Sequence, residues 1–143
     1  MERLSERFAA RALLLIITLT LLFHALIISG VIPYTIVWGG RIASESQMRM
    51  MEAISVVINV LMLSVVAVRA GVLRVVVHPV LLKVALWLMT GLFLLNTLGN
   101  LLSKSVVEKL IFTPVTLVLA LLCVRLALGN PANWRELATR DQA

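Results

Sequence analysis

Four stretches of the chain, at about 8–30, 48–70, 79–102 and 107–128, are long apolar runs in which Leu, Val, Ile and Ala predominate. They do not alternate between polar and apolar positions. Leu13-Leu14-Leu15-Ile16-Ile17 is typical, whereas the strands of a membrane barrel would alternate over about ten residues. Each run is long enough to cross a hydrocarbon core about 30 Å thick, which takes roughly 20 residues as a helix. In lipid a helix also satisfies every backbone N–H and C=O within its own segment. The pattern predicts an all-α polytopic membrane protein, an antiparallel four-helix transmembrane bundle forming a single domain over residues 1–143.

Polar residues punctuate these runs where helices should begin and end. Ser44-Glu45-Ser46-Gln47 fits a capping box, with Ser44 as cap and Gln47 reaching back, and Ser105-Val106-Val107-Glu108 fits the same pattern at the fourth helix. Pro79 suits the first turn of the third helix, where a missing N–H costs nothing. Gly129-Asn130-Pro131 stops the fourth. Pro114, inside that helix, predicts a kink. The connection 31–43 is too apolar for an ordinary solvated loop and is broken by Pro33 and Gly39-Gly40. Tyr34 and Trp38 favour the headgroup level, so this segment is either an interfacial anchor or a lid over the mouth of the bundle. The tail 129–143 is expected to carry a short surface helix anchored by Trp134.

Within the helices the remaining polar residues fall on single faces. Glu52, Ser55 and Asn59 stand at i, i+3 and i+7 on the second helix, which at about 100° per residue is one stripe. Asn96, Gly99, Asn100 and Ser103 repeat the arrangement on the third. Thr113, Thr116, Ala120 and Cys123 line a face of the fourth, and Thr20 and His24 lie one turn apart on the first. Alternating helix direction brings His24, Glu52, Asn59, Asn96, Asn100, Glu108 and Thr113 into the same half of the bundle, with the opposite half almost purely aliphatic.

Composition sharpens the class. Apolar residues make up 61% and charged residues 14% of the 143, against about 45–50% and about 25% in soluble domains. The net charge of +6 does not point to nucleic acid, because the basic residues are sorted by side. Arg3, Arg7, Arg11, Arg69, Arg74, Lys83, Arg125, Arg135 and Arg140 flank one face of the bundle; Arg41, Arg49, Lys104 and Lys109 flank the other. The positive-inside rule then places both termini and the 71–78 loop in the cytoplasm, and the 31–43 loop outside. The first run is too long for a signal peptide and lacks an A-x-A-like site. Cys123 is the lone cysteine, a small buried hydrophobe that can form no internal disulfide.

Two readings of the polar layer follow. In one, Asn and Ser bond across helices and merely hold the bundle together. In the other, they line a pocket in the outer half, roofed by Tyr34, Trp38 and Arg41, which takes a lipid-like or small ligand or docks another membrane protein. The candidate ligand-binding residues are His24, Tyr34, Trp38, Arg41, Glu52, Ser55, Asn59, Asn96, Asn100 and Thr113. Glu52 is expected to pair with Arg41, His24 or Arg49, and a Glu52–Arg41 pair would tie the loop to the second helix. Glu52 and His24 offer a base and an acid, yet no second carboxylate is placed deep in the membrane. No catalytic set is assigned, and no cofactor or metal site is expected. The partners expected are the bilayer, a lipid-like molecule or a membrane protein; the oligomeric state is left open.

The stretch Ile32-Pro33-Tyr34-Thr35-Ile36-Val37-Trp38-Gly39-Gly40-Arg41, with Glu52 to Asn59, Leu94 to Asn100 and Phe112-Thr113-Pro114, resembles a group of small four-span bacterial membrane proteins to which no activity is attached. The resemblance covers most of the chain after the first helix. It implies a four-helix protein of the bacterial inner membrane and nothing about chemistry. The plan is also similar to sterol-isomerase-like membrane bundles, in architecture only, since their intramembrane carboxylates are not matched.

Overall fold

The structure, a computed structural model, describes residues 5–129. Among them are four helices long and apolar enough to span a membrane: α1 (Glu6–Ile28), α2 (Glu45–Arg69), α3 (Pro79–Leu101) and α4 (Thr113–Ala127), the last entered through a π-helical turn, Glu108–Phe112. No strand occurs among the described residues. The all-α four-helix bundle expected from the sequence is what forms, with boundaries moved by a few residues. The tail helix expected near Trp134 and most of the Gly129-Asn130-Pro131 stop lie outside the described residues.

Local chemistry sets the helix ends. Ser5 caps α1 by accepting the Phe8 N–H at 3.1 Å. Ser44 caps α2 by accepting the Gln47 N–H at 3.2 Å. Gln47 reaches back one residue further than a capping box requires, taking the Ala43 N–H at 3.1 Å. Pro79 opens α3 behind a His78 cap. At α4 the outcome differs from expectation. Ser105 receives the Glu108 N–H at a long 3.5 Å, but the Glu108 carboxylate turns away to another partner, so the box is not completed. Nor does Pro114 simply kink a regular helix. The Thr113 N–H bonds the Glu108 carbonyl, and this wider turn sits where the proline ring would crowd the carbonyl four residues back.

Packing divides the bundle into two ends. The main core is aliphatic, built by Leu13 and Ile17 of α1, Met62 and Val66 of α2, Leu86 and Met89 of α3, and Leu119, Cys123 and Leu126 of α4. Outward-facing leucines such as Leu15, Leu61, Leu88, Leu95 and Leu121 are exposed, as expected of a surface meant for lipid. Below this core the Glu6 carboxylate receives Arg69 at 2.6 Å and Arg125 at 3.4 Å, joining the ends of α1, α2 and α4. Gly129 packs against this cluster, and a Cβ there would lie 2.6 Å from the Glu6 carboxylate.

At the other end the 31–43 connection folds down onto the helices as two short 3₁₀ turns, Tyr34–Ile36 and Trp38–Gly40. Ile27, Val37 and Met48 form a small buried cluster there, with Tyr34 and Trp38 packed against it. Three helix seams are closed: α1 with α2, α3 with α4, and α1 with α4. The seam between α2 and α3 is nearly bare of contact.

Candidate functional site

That unclosed seam holds a cleft of about 690 Å³. Its rim includes Ile54 and Ile58 from α2 and Leu92, Asn96 and Gly99 from α3, all exposed, so it opens sideways, toward where lipid would be. Along α2 its wall runs from Glu52 to Met62, about 15 Å at roughly 1.5 Å per residue. The floor is apolar, made by Met62, Phe93 and Leu119. The roofed end carries the charges.

The roof is held from both walls by carboxylates. Glu52 is fully buried. Its Oε1 accepts the Trp38 indole N–H at 2.8 Å, and its Oε2 lies 2.6 Å from His24 Nδ1, a separation that requires a proton between them. On the far wall Glu108, 7% exposed, accepts the Gly39 N–H through Oε2 at 2.9 Å. The backbone explains how adjacent residues reach opposite walls. Trp38, Gly39 and Gly40 all take left-handed φ, at 56°, 68° and 67°. This is easy for glycine and uncommon for tryptophan. The turn swings the indole toward α2 while aiming the next peptide N–H at Glu108. Ser105 Oγ adds a third tie, donating to the Ile36 carbonyl at 2.6 Å.

Below the roof lies an amide layer. Asn59 spends one N–H on the Ser55 carbonyl at 2.9 Å. Asn100 approaches Thr116 Oγ1 at 3.5 Å, and Thr116 also bonds Thr97 at 2.9 Å. These last contacts knit α3 to α4, as the packing reading expects. Asn96, exposed on the rim, has no side-chain hydrogen bond among the described residues.

Of the ten candidate residues, His24, Trp38, Arg41, Glu52, Ser55, Asn59, Asn96 and Asn100 line the cleft. Tyr34 and Thr113 do not. Tyr34 belongs to the small apolar cluster beneath the loop, and the Thr113 hydroxyl returns to the Glu108 carbonyl at 3.2 Å. The Glu52–Arg41 pair is absent: Arg41 is exposed at the cleft mouth, and Arg49 pairs with Glu45. The loop is tied to α2 by an indole, not a guanidinium. Glu108, which the sequence placed in the same half of the bundle without making it a site residue, is a second buried carboxylate on the lining. The signal for it was present, because Glu108, Phe112, Val115 and Leu119 recur at i, i+4, i+7 and i+11 and all line the cleft. The capping-box pattern had claimed Glu108 for another role.

Fold and cleft together define a multi-pass membrane bundle with a side-opening cavity that is polar under its roof and apolar below. No family model matches the chain, and neither a curated protein nor a solved structure matches it.

Proposed function

We propose that this protein binds an amphipathic, lipid-like molecule in the cleft between α2 and α3. The observation that carries the reading is a cavity of about 690 Å³ between two helices apolar enough to span a membrane, with Asn96 on its rim making no side-chain hydrogen bond among the described residues. A polar side chain against hydrocarbon costs kilocalories unless it finds a partner. A ligand with a polar head and an apolar body meets the layering of this cleft, which falls in the size range of small-molecule sites, about 300–1,000 Å³. With the sorting of basic residues, the roofed end faces outward and both termini lie in the cytoplasm; the resemblance noted above adds a bacterial inner membrane.

The test is mass spectrometry of small molecules retained by protein extracted in a mild detergent. Wild type should carry a stoichiometric lipid-like species, and the Asn59→Leu/Asn96→Leu double variant should lose it while keeping its helicity and melting temperature. Loss of both fold and any retained species together would instead favour a scaffold subunit whose polar residues only join helices. The Thr97–Thr116–Asn100 bonds between α3 and α4 are the observation on that side. An enzyme built on Glu52 and His24 is the least supported reading, since Glu52 is spent on holding the roof through Trp38 and His24.

A further inference from the structure

The charged groups around the cleft are not all paired with one another. Its titratable lining consists of His24, Arg41, Glu52 and Glu108. Glu52 has both oxygens engaged, one with His24 Nδ1 and the other with the Trp38 N–H. Arg41 stands exposed at the mouth without an ion pair among the described residues. Glu108 is only 7% exposed, has no basic side chain in ion-pair contact, and its Oε1 has no hydrogen bond among the described residues. A carboxylate taken out of water without a counter-charge is strongly disfavoured, so buried charges are normally paired. Glu108 Oε1 is not sealed off and lies on the cleft lining, so what completes it, water or a ligand, comes from the cleft.

Resting on the ligand-binding reading above, we infer that the molecule taken by the cleft is an amphipathic cation, an amine or quaternary ammonium on an apolar body, whose positive group is seated against Glu108. The surroundings suit that chemistry. Phe112 and Phe23, their ring centroids 5.0 Å apart, and Trp38 stand on the same lining, and aromatic rings are the side chains that attract desolvated cations. The apolar floor accepts the body. The lateral opening admits a molecule already dissolved in the bilayer, where the apolar part draws it and the anionic end of the cleft sorts it by charge. An anionic amphiphile would find Arg41 at the mouth but would have to bring its charge toward Glu108 under the roof; a neutral one would leave Glu108 without a counter-charge.

The experiment uses full-length protein in nanodiscs of a glycosyldiacylglycerol, whose headgroup carries no ammonium, and three probes with the same chain: decyltrimethylammonium, decanol and decanoate. Each is measured by equilibrium dialysis below its micelle concentration, with empty discs subtracted. Binding of decyltrimethylammonium should exceed the other two by about tenfold or more, and Glu108→Gln should remove that preference by a similar factor. Glu108→Gln keeps an acceptor for the Gly39 N–H, and unchanged helicity and tryptophan emission verify that the variant folds. Glu108→Asp, which retains the charge, should restore part of the preference. If decanol or decanoate binds wild type as well as the cation does, or if Glu108→Gln leaves the preference intact, the cation inference falls while the cleft remains a ligand site. If none of the three binds above empty discs, the ligand reading falls with it. In discs containing phosphatidylethanolamine, weakened cation binding assigns the site to a lipid headgroup ammonium, and unchanged binding assigns it to single-chain amines.

Discussion

Replacing Glu52 by leucine should release the roof of the cleft without dissolving the bundle. The substitution keeps a similar volume but removes the acceptor of the Trp38 N–H at 2.8 Å and of the His24 contact at 2.6 Å. Hydrogen bonds to a charged group contribute about 1.5–3 kcal/mol each, so the roof end loses roughly 3–6 kcal/mol of favourable contact. Part of this returns, because the variant no longer carries the cost of a buried carboxylate. Trp38 also becomes free to leave a left-handed conformation that costs about 1–2 kcal/mol. The net loss should be about 3 kcal/mol in the free energy of opening the 37–41 segment, or about a hundredfold in population. Hydrogen–deuterium exchange followed by mass spectrometry reads this directly. Peptides covering 37–41 should exchange about a hundredfold faster, whereas those from the aliphatic core around Leu86, Leu119 and Leu126 should not change. Unchanged exchange in 37–41 would refute Glu52 as the latch. Equal acceleration everywhere would mean that the carboxylate supports the whole bundle.

Further outcomes test other parts of the structure. Gly129→Ala places a Cβ 2.6 Å from the Glu6 carboxylate and should cost about 1–3 kcal/mol by overpacking, seen as a lower melting temperature in detergent. Arg69→Met leaves Glu6 with Arg125 alone and should cost about 3–5 kcal/mol, the usual penalty for breaking a buried pair; in a thermal-unfolding cycle with Glu6→Gln, strictly additive losses would rule out direct coupling. Cys123, fully buried, should resist a membrane-permeant maleimide in the folded protein and react on denaturation; rapid labelling of the folded protein would contradict the core packing. Reporter fusions in the 31–43 and 71–78 loops should report opposite sides of the membrane, with 71–78 cytoplasmic, and a cytoplasmic 31–43 loop would overturn the outward-facing cleft.

What was legible in the chain, and what was not, divides along the range of the interactions. Helix number and position depend on length, apolarity and caps, all of them local, and the bundle follows from them. The stripes of Glu52, Ser55 and Asn59 and of Asn96 and Asn100 depend on helical periodicity, and they do face one cleft. Partner choice is where local reasoning stopped. Of the partners expected for Glu52, His24 arrives and neither arginine does; the left-handed turn at Trp38-Gly39-Gly40 delivers an indole instead, because backbone direction decided which group of the loop reaches it. Glu108 was assigned to a cap because the box pattern is local, while the π turn and the Gly39 N–H that draw it inward depend on a loop 69 residues away. The Glu6–Arg69–Arg125 cluster joins residues separated by 63 and 119 positions, and periodicity carries no trace of it.

The two ends of the bundle treat buried charge in opposite ways, and that contrast is the strongest structural reason to look for a ligand at the roofed end. At the Glu6 end one carboxylate is met by two guanidinium groups and the helices close around them, so charge there serves cohesion. At the roofed end two carboxylates are buried and their closest partners are an imidazole, an indole N–H and a peptide N–H. If cohesion were the only requirement, apolar residues of similar volume would hold a membrane bundle at least as well, and α2 would have little reason to stand away from α3. Instead the unclosed seam, the exposed amide of Asn96 and the open oxygen of Glu108 all face one space. Polar groups within membrane spans are costly unless something completes them, and a ligand of the kind proposed would reach them through the side opening of this cleft.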